Sequence, residues 1–449
     1  MNISIKKILS GVALFSVITP LSALEFELNA EVQAAFESNA LQAPIDEQDD
    51  LGLTYGLNLD IEHREASWDV GGNYQYAYID YREDTNDDQT LFVGSSDVIW
   101  RIKPSLLEWS FSHSRQNERR TALDQDILNN REVRQVITTQ PVMYFRLGSG
   151  DQIITSLRYV DVDQENANDN NSQRYGGAVG WRRALTSVST FSINTEYSNV
   201  DFEALDADYE LTRLFFDYTA DLRVLDYTLQ LGASNIEPDI GDGITAEFIR
   251  VNLSLEQTVH TYTLSVVDEL TDTSIAIADV NFALNIDNRG TQNINVFDAA
   301  DLLTQKQAIF GYTGNILCRS CIVAATLGYV ELDYETADRL ERNSIATASL
   351  GYAFTPNLNI TFGVNYQENK LLGADLGLPI DDNESLAIKE TGYTLTFEWQ
   401  VFRRMQLSLA YAHDESSSPI LPVGLPPADN FNLNFDNDTI LMALSYRLW

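Results

Sequence analysis

Thr439-Ile440-Leu441-Met442-Ala443-Leu444-Ser445-Tyr446-Arg447-Leu448-Trp449 ends the chain. In an extended strand successive side chains point to opposite faces. Ile440, Met442, Leu444, Tyr446 and Leu448 therefore share one face, with Thr439, Ala443, Ser445 and Arg447 among those opposite. A period-two run that closes the chain on an aromatic residue is what an outer-membrane β-barrel needs for assembly and closure. Tyr446, Leu448 and Trp449 form the expected assembly signal, although Trp449 stands one residue beyond the apolar register.

Similar runs recur along the chain. Leu24, Phe26, Leu28, Ala30, Val32, Ala34 and Phe36 alternate with Glu25, Glu27, Asn29, Glu31 and Gln33. The pattern returns at Leu51–Ile61, Leu107–Phe111, Ile153–Tyr159, Tyr175–Trp181, Phe191–Tyr197, Tyr227–Ala233, Ile249–Leu255, Leu358–Tyr366, Tyr393–Val401 and Met405–Tyr411. Runs of about 9 to 13 residues suit tilted strands crossing a hydrocarbon layer.

The connections alternate in length. Short ones at His63–Ala66, Lys103–Ser105, Gly148–Gly150, Ala184–Ser187, Thr355–Asn357 and Arg403 are interleaved with long ones. The long ones are Asn39–Asp50, Arg82–Gln89, Gln116–Asn130, Asp163–Ser172, Asp201–Ala207, Glu237–Thr245, Asn369–Leu386 and Asp414–Asp436. Short periplasmic turns and long external loops define an all-β, transmembrane, antiparallel up-and-down barrel of about 20 strands, with both termini periplasmic. Thr271–Leu302 reads as one long loop, a folded-in plug or an extra hairpin, which leaves counts of 18 to 22 open.

Bulk properties agree with export. Lys6 and Lys7 precede an apolar stretch from Ile8 to Ile18 and a small-residue site ending at Ala23, which predicts a signal peptide over 1–23. A single barrel domain is expected over 24–449. Removing Lys6 and Lys7 takes the net charge from −37 to −39, so a nucleic-acid partner is not expected. Hydrophobic residues make up 44%, which suits strands with one face toward lipid. Cys318 and Cys321 are read as a local disulfide or two idle thiols, since the rest of a zinc site and a haem-attachment His are absent.

With the apolar set outward, Arg101, Arg134, Arg146, Arg158, Arg182, Arg213, Arg250 and Arg447 face the lumen. Glu108, Glu196, Asp217, Glu256 and Glu398 accompany them, a set expected to solvate the interior and select solutes. Tyr55, Tyr159, Trp181, Tyr197, Tyr366, Tyr393, Tyr411 and Tyr446 stand near the ends of the apolar faces, where amphipathic rings meet headgroups. The acidic clusters at Asp46–Asp50, Glu83–Asp88, Asp201–Asp208 and Asp381–Glu384 lack EF-hand spacing and read as solvated loops, with no metal expected. His63, His113, His260 and His413 form no catalytic constellation, even with Asp414 beside His413; neither an enzyme nor a cofactor is expected.

The chain resembles the β-barrel porins of the outer membrane found with exopolysaccharide and PEP-CTERM protein-sorting systems. The carriers are LEFELNAEVQAAFESNALQAP at 24–44, the acidic first loop ending in Asp49-Asp50, NYQYAYIDY at 73–81 and the terminal SYRLW. The likeness spans nearly the whole mature chain as pattern and rhythm. It implies passage or export of polysaccharide or small solutes and no catalytic residues. The expected partners are outer-membrane lipid, lipopolysaccharide, the barrel-assembly machinery and periplasmic export components.

Overall fold

The computed structural model describes residues 25–44, 46–83, 85–119, 130–165, 171–203, 208–272, 302–335, 339–373, 386–418 and 434–449. The signal peptide predicted over 1–23 lies outside the described residues. So does most of Thr271–Leu302; only Thr271, Asp272 and Leu302 at its two ends are described, all in strands.

The first ten strands are β1 Glu25–Glu37, β2 Asp50–Arg64, β3 Trp68–Tyr81, β4 Gln89–Lys103, β5 Leu107–Arg119, β6 Arg131–Arg146, β7 Asp151–Gln164, β8 Ser172–Ala184, β9 Ser189–Phe202 and β10 Tyr209–Asp221. The second ten are β11 Leu225–Pro238, β12 Ile244–Gln257, β13 His260–Asp272, β14 Leu302–Gly314, β15 Cys321–Tyr334, β16 Arg339–Thr355, β17 Leu358–Gly373, β18 Leu386–Phe402, β19 Met405–Ser417 and β20 Phe435–Arg447. Each pairs antiparallel with the next, and β20 returns to β1. The barrel of 20 described strands is closed, so it has no sheet edge to satisfy in lipid.

Strands of 13 to 17 residues exceed the runs expected from alternation alone. The apolar pattern marks only the part in hydrocarbon, whereas ladder hydrogen bonds carry the hairpins on into water. Closure is made by nine register pairs from Asn29↔Arg447 to Glu37↔Thr439. Leu448 N–H donates to the Leu28 carbonyl at 2.8 Å, which secures the C-terminus beyond the ladder. Trp449 is 76% exposed, while Ile440, Met442, Leu444, Tyr446 and Leu448 form one exposed apolar row.

That row belongs to an apolar belt continuing across neighbouring strands, for example through Val32, Tyr55, Phe92, Phe111, Leu157, Val179, Leu214, Leu231, Leu327 and Phe362. Alternation therefore assigns the opposite register to the interior. Near the short turns the belt carries the stacked Trp68–Trp100 pair, with ring centroids 4.9 Å apart, and Trp109 lies opposite Trp100 on β5. Toward the long loops Tyr159 faces Tyr175, and Tyr197 follows on β9. Aromatic rings thus flank the belt on both sides, as in membrane-spanning barrels.

Cys318, in the turn after β14, is joined to Cys321, the first residue of β15. The bridge closes a loop with a sequence separation of only 3. Opening it by Cys318→Ser with Cys321→Ser is expected to cost no more than about 2 kcal/mol through loop entropy. Urea unfolding of the double variant should leave the barrel folded with a small midpoint shift.

Candidate functional site

The wall is regular until β13. Pairing of β12 with β13 runs from Gln257↔His260 to Ile249↔Asp268 and stops. Past that point β12 continues to Ile244 against β11, while β13 continues to Asp272 against β14 alone. Only the seam between β12 and β13 has opened here, since β14 stays paired with β15 up to Leu303↔Tyr334. Leu270, which alternation would turn toward lipid, is instead 0% exposed. It packs with Val200, Phe202, Tyr209 and Ile236, all from the interior register of β9 to β11. The end of β13 is turned inside the barrel, against the inner face of β9 to β11.

Polar contacts secure this tuck. The Asp272 carboxylate accepts a hydrogen bond from Arg174 Nη2 of β8 at 2.6 Å and a short one from the Tyr209 hydroxyl of β10. β8 and β13 are not neighbours in the wall, so their side chains meet only through the interior. One position before Leu270, Glu269 lies 3.3 Å from Arg213 Nη2 and 2.7 Å from Arg250 Nη2. Arg213 also donates to Ser234 Oγ at 3.0 Å and to the Leu270 carbonyl at 3.3 Å.

An aromatic platform supports the two guanidiniums. Phe248 lies beneath Arg213 at 4.4 Å and Arg250 at 5.4 Å, and cation–π attraction fixes both charged heads. Phe215 meets Phe248 at 5.1 Å although β11 runs between their strands. The reason is Gly232, which lies opposite both rings and leaves the gap open. A Cβ there would come 2.1 Å from the Leu214 carbonyl oxygen.

Beside this network lies a pocket of about 260 Å³. Arg158, Arg213, Arg250 and Glu196, each expected from sequence to face the lumen, line it together. Arg174, Tyr209, Glu269 and Thr271 also line it. The rest of the expected set stands elsewhere. Arg134 is buried toward the loop ends, and neighbouring Glu132 accepts a hydrogen bond from Gln164. Arg101 pairs with Asp69, Arg182 with Gln152, and Arg447 with Glu27 at 2.9 Å. Glu108 accepts from Tyr144 Oη at 3.1 Å and Asp217 from Gln230 Nε2 at 2.9 Å. Arg146 and Glu256 are exposed and Glu398 half-buried, all in the interior register near the short turns.

Arg174, Tyr209, Glu269 and Asp272 escaped sequence reading. Their signal was the apolar residues in a register meant to be wet: Val160, Val200, Leu211, Phe215, Ile236 and Phe248. Such a row inside a barrel calls for an element to cover it.

No histidine lines the pocket. His413 pairs not with Asp414 but with Asp438 across the β19–β20 ladder, at 2.9 Å, and Tyr411 donates to the same carboxylate at 2.6 Å. Neighbours in sequence point to opposite faces of a strand, so His413 and Asp414 diverge. His113 lies 2.7 Å from the Tyr74 hydroxyl and His260 lies 2.9 Å from the Tyr312 hydroxyl, both near aromatic rings. Among the described residues no group of three or more His, Cys, Asp or Glu is arranged to hold a metal.

No family model and no curated protein matches this sequence. Solved structures of outer-membrane barrels do match. OmpT, an outer membrane protein of Vibrio cholerae, is 10% identical, with 96% of this chain and 99% of that one covered at a TM-score of 0.37. A variant of the ferric enterobactin receptor PfeA from Pseudomonas aeruginosa is 12% identical, with 96% and 81% covered at 0.47. The FrpB iron transporter from Neisseria meningitidis (F5-1 variant) is 10% identical, with 95% and 83% covered at 0.45. These are likenesses of overall fold, and the closed antiparallel barrel of this chain is shown by its own strand pairing.

Proposed function

We propose that the protein is an outer-membrane channel for small hydrophilic solutes, with the termini and short turns on the periplasmic side. The observation that carries this reading is the charged pocket formed where Arg158, Arg213, Arg250, Glu196 and Glu269 converge inside a closed barrel. Fixed charges of both signs in a low-dielectric wall act strongly on a permeating solute. The resemblance to exopolysaccharide-associated porins extends the reading to polysaccharide export. A pocket of about 260 Å³ beside the inward-turned end of β13 favours a small solute over a polymer chain. Outer-membrane lipid, lipopolysaccharide and the assembly machinery complete the proposed set of partners, and no catalytic step is assigned.

A second reading has its own support. The inward-turned end of β13, with buried Leu270 and Asp272, suits a barrel narrowed by its own chain and serving as a scaffold or receptor.

Planar-bilayer recording of refolded protein under a salt gradient separates the two. The channel reading expects steady conductance, with a shift of reversal potential toward cations in Arg158→Glu and Arg146→Glu. An identical reversal potential in both variants removes the selective role of these arginines. Silence from folded protein transfers the assignment to the closed scaffold.

A further inference from the structure

The lipid-facing side of the wall is not uniform at its loop-side rim. On β7 to β12 the outward positions just beyond the apolar belt carry Asp161, Asp201, Glu210, Glu237 and Glu247, with no Lys or Arg there among the described residues. On β14 to β18 the same level is basic. Lys306, Glu331, Arg342 and Lys370 form one register row across β14, β15, β16 and β17. Lys389 on β18 lies opposite Glu368 of β17. The four cations stand four positions beyond the belt residues Phe310, Ala346, Tyr366 and Tyr393 of their own strands. At a rise of about 3.3 Å per residue along a tilted strand, that places them in the headgroup layer.

These cations are braced rather than consumed. Their side chains are 41% to 53% exposed. Arg342 Nε donates to Glu331 at 2.9 Å, and Lys370 Nζ lies 3.0 Å from Glu368. Lys306 and Lys389 approach the same two carboxylates only at 3.9 and 3.7 Å, beyond hydrogen-bond reach. An ammonium carries three donors and a guanidinium five, so two carboxylates leave most of them to the headgroup layer. Asp268 and Asp333 edge the patch on the side away from β17 and β18. Arg342 and Lys370 stand directly opposite one another. Like charges so placed repel, and an anion between them turns that repulsion into attraction.

Below Arg342 the outward residues of β16 are Ser344, Ala346 and Ala348. Leu327 and Tyr329 wall this furrow on β15, and Val364 and Tyr366 wall it on β17, all four exposed. A ligand that fits both parts has phosphate at one end and an acyl chain at the other. The basic row spans roughly 20 Å at about 4.8 Å per strand, which suits a broad headgroup with more than one phosphate.

We propose that this outer face of β14 to β18 binds a phosphorylated glycolipid, with a phosphate between Arg342 and Lys370 and an acyl chain along the β16 furrow. The site is one for lipopolysaccharide, and it rests on the proposed orientation with the long loops outside. Basic clusters beside a bilayer recognise lipid phosphates in this way.

Native mass spectrometry of the full mature chain, refolded in detergent and titrated with lipid A, tests the site without any ion flux. Lipid A is expected to be retained about tenfold more tightly than phosphatidylglycerol. Arg342→Gln with Lys370→Gln should weaken lipid A by about tenfold, whereas Glu210→Gln with Glu237→Gln on the acidic arc should leave it unchanged. Lys306→Gln with Lys389→Gln serves as the second variant should the first fail to give heat-modifiable barrel. Undiminished lipid A binding in a folded basic variant overturns the proposal, as does its absence from folded wild-type protein. Displacement of lipid A by inorganic phosphate alone overturns it too, since the cations would then hold a free anion. Orientation is read separately, by protease cleavage of the long loops on intact cells. A barrel with external loops that retains no lipid A loses only the site. Loops cut only in opened cells remove the orientation, and tighter retention of phosphatidylglycerol than of lipid A then moves the patch to the inner leaflet.

Discussion

Replacing Asp272 with Asn is expected to release the end of β13 from the inner wall. Asp272 is 0% exposed and bridges Arg174 and Tyr209, two residues on strands it does not pair with. Removing one charge of a buried pair costs about 3–5 kcal/mol, because the remaining ion keeps its desolvation penalty. Residues 269–272 have no ladder bonds to β12, so the loss falls on the tuck before it falls on the barrel. Backbone hydrogen exchange over 269–272 should accelerate by roughly two orders of magnitude, with the rest of the wall unchanged. If the end of β13 narrows a conducting lumen, single-channel conductance should rise in the same variant. Replacing both partners, as Arg174→Leu with Asp272→Leu, should recover most of the protection, since an apolar pair at a buried site is close to neutral. Unaltered exchange in Asp272→Asn would mean that the apolar contacts of Leu270 alone secure the tuck.

The second large effect separates the two faces of the wall. Leu231 and Gln230 are neighbours midway along β11. Leu231 is 42% exposed in the apolar belt between Phe216 and Ile249, and Gln230 donates to Asp217 inside. Leu231→Arg is expected to destabilise the barrel by about 2–4 kcal/mol, the cost of a guanidinium at bilayer mid-depth. Gln230→Arg should cost under about 1 kcal/mol, since the new charge meets the Asp217 carboxylate in a wet interior. Reversible unfolding in lipid vesicles by denaturant measures both. Equal costs would mean that the assignment of faces is wrong.

Much of the architecture could be read directly from residues. Runs such as 153–159 and 358–366 carry their own face assignment, because a period of two leaves one side apolar whatever the neighbours are. Hairpin order was equally accessible. Every strand pairs with its sequence neighbours, so the topology is local except for the single β1–β20 closure. The interior position of Arg158, Arg213 and Arg250 followed from the same parity. Which of the expected charges come together did not follow. Arg146, Arg158 and Arg250 look alike in sequence, yet Arg146 stands exposed near the short turns while the other two share the pocket.

The His413–Asp414 neighbourhood shows the same limit from the other side. Adjacent residues of a strand point apart, and the partner of His413 came from β20, at Asp438. Local sequence set the strand, and pairing register set the contact.

By itself, then, the sequence determined a wall of alternating strands paired in chain order, with one apolar face, because each of these depends on one residue and its near neighbours. Only the tertiary structure decided that β13 leaves β12 after Asp268 and folds inward. That step rests on contacts such as Arg174–Asp272, 98 residues apart in sequence and joined across the lumen. Their geometry depends on how twenty strands close and on the apolar inner patch around Ile236 and Tyr209 that Leu270 covers. Alternation is a one-dimensional signal, and it carries no record of which interior residues face one another across the barrel.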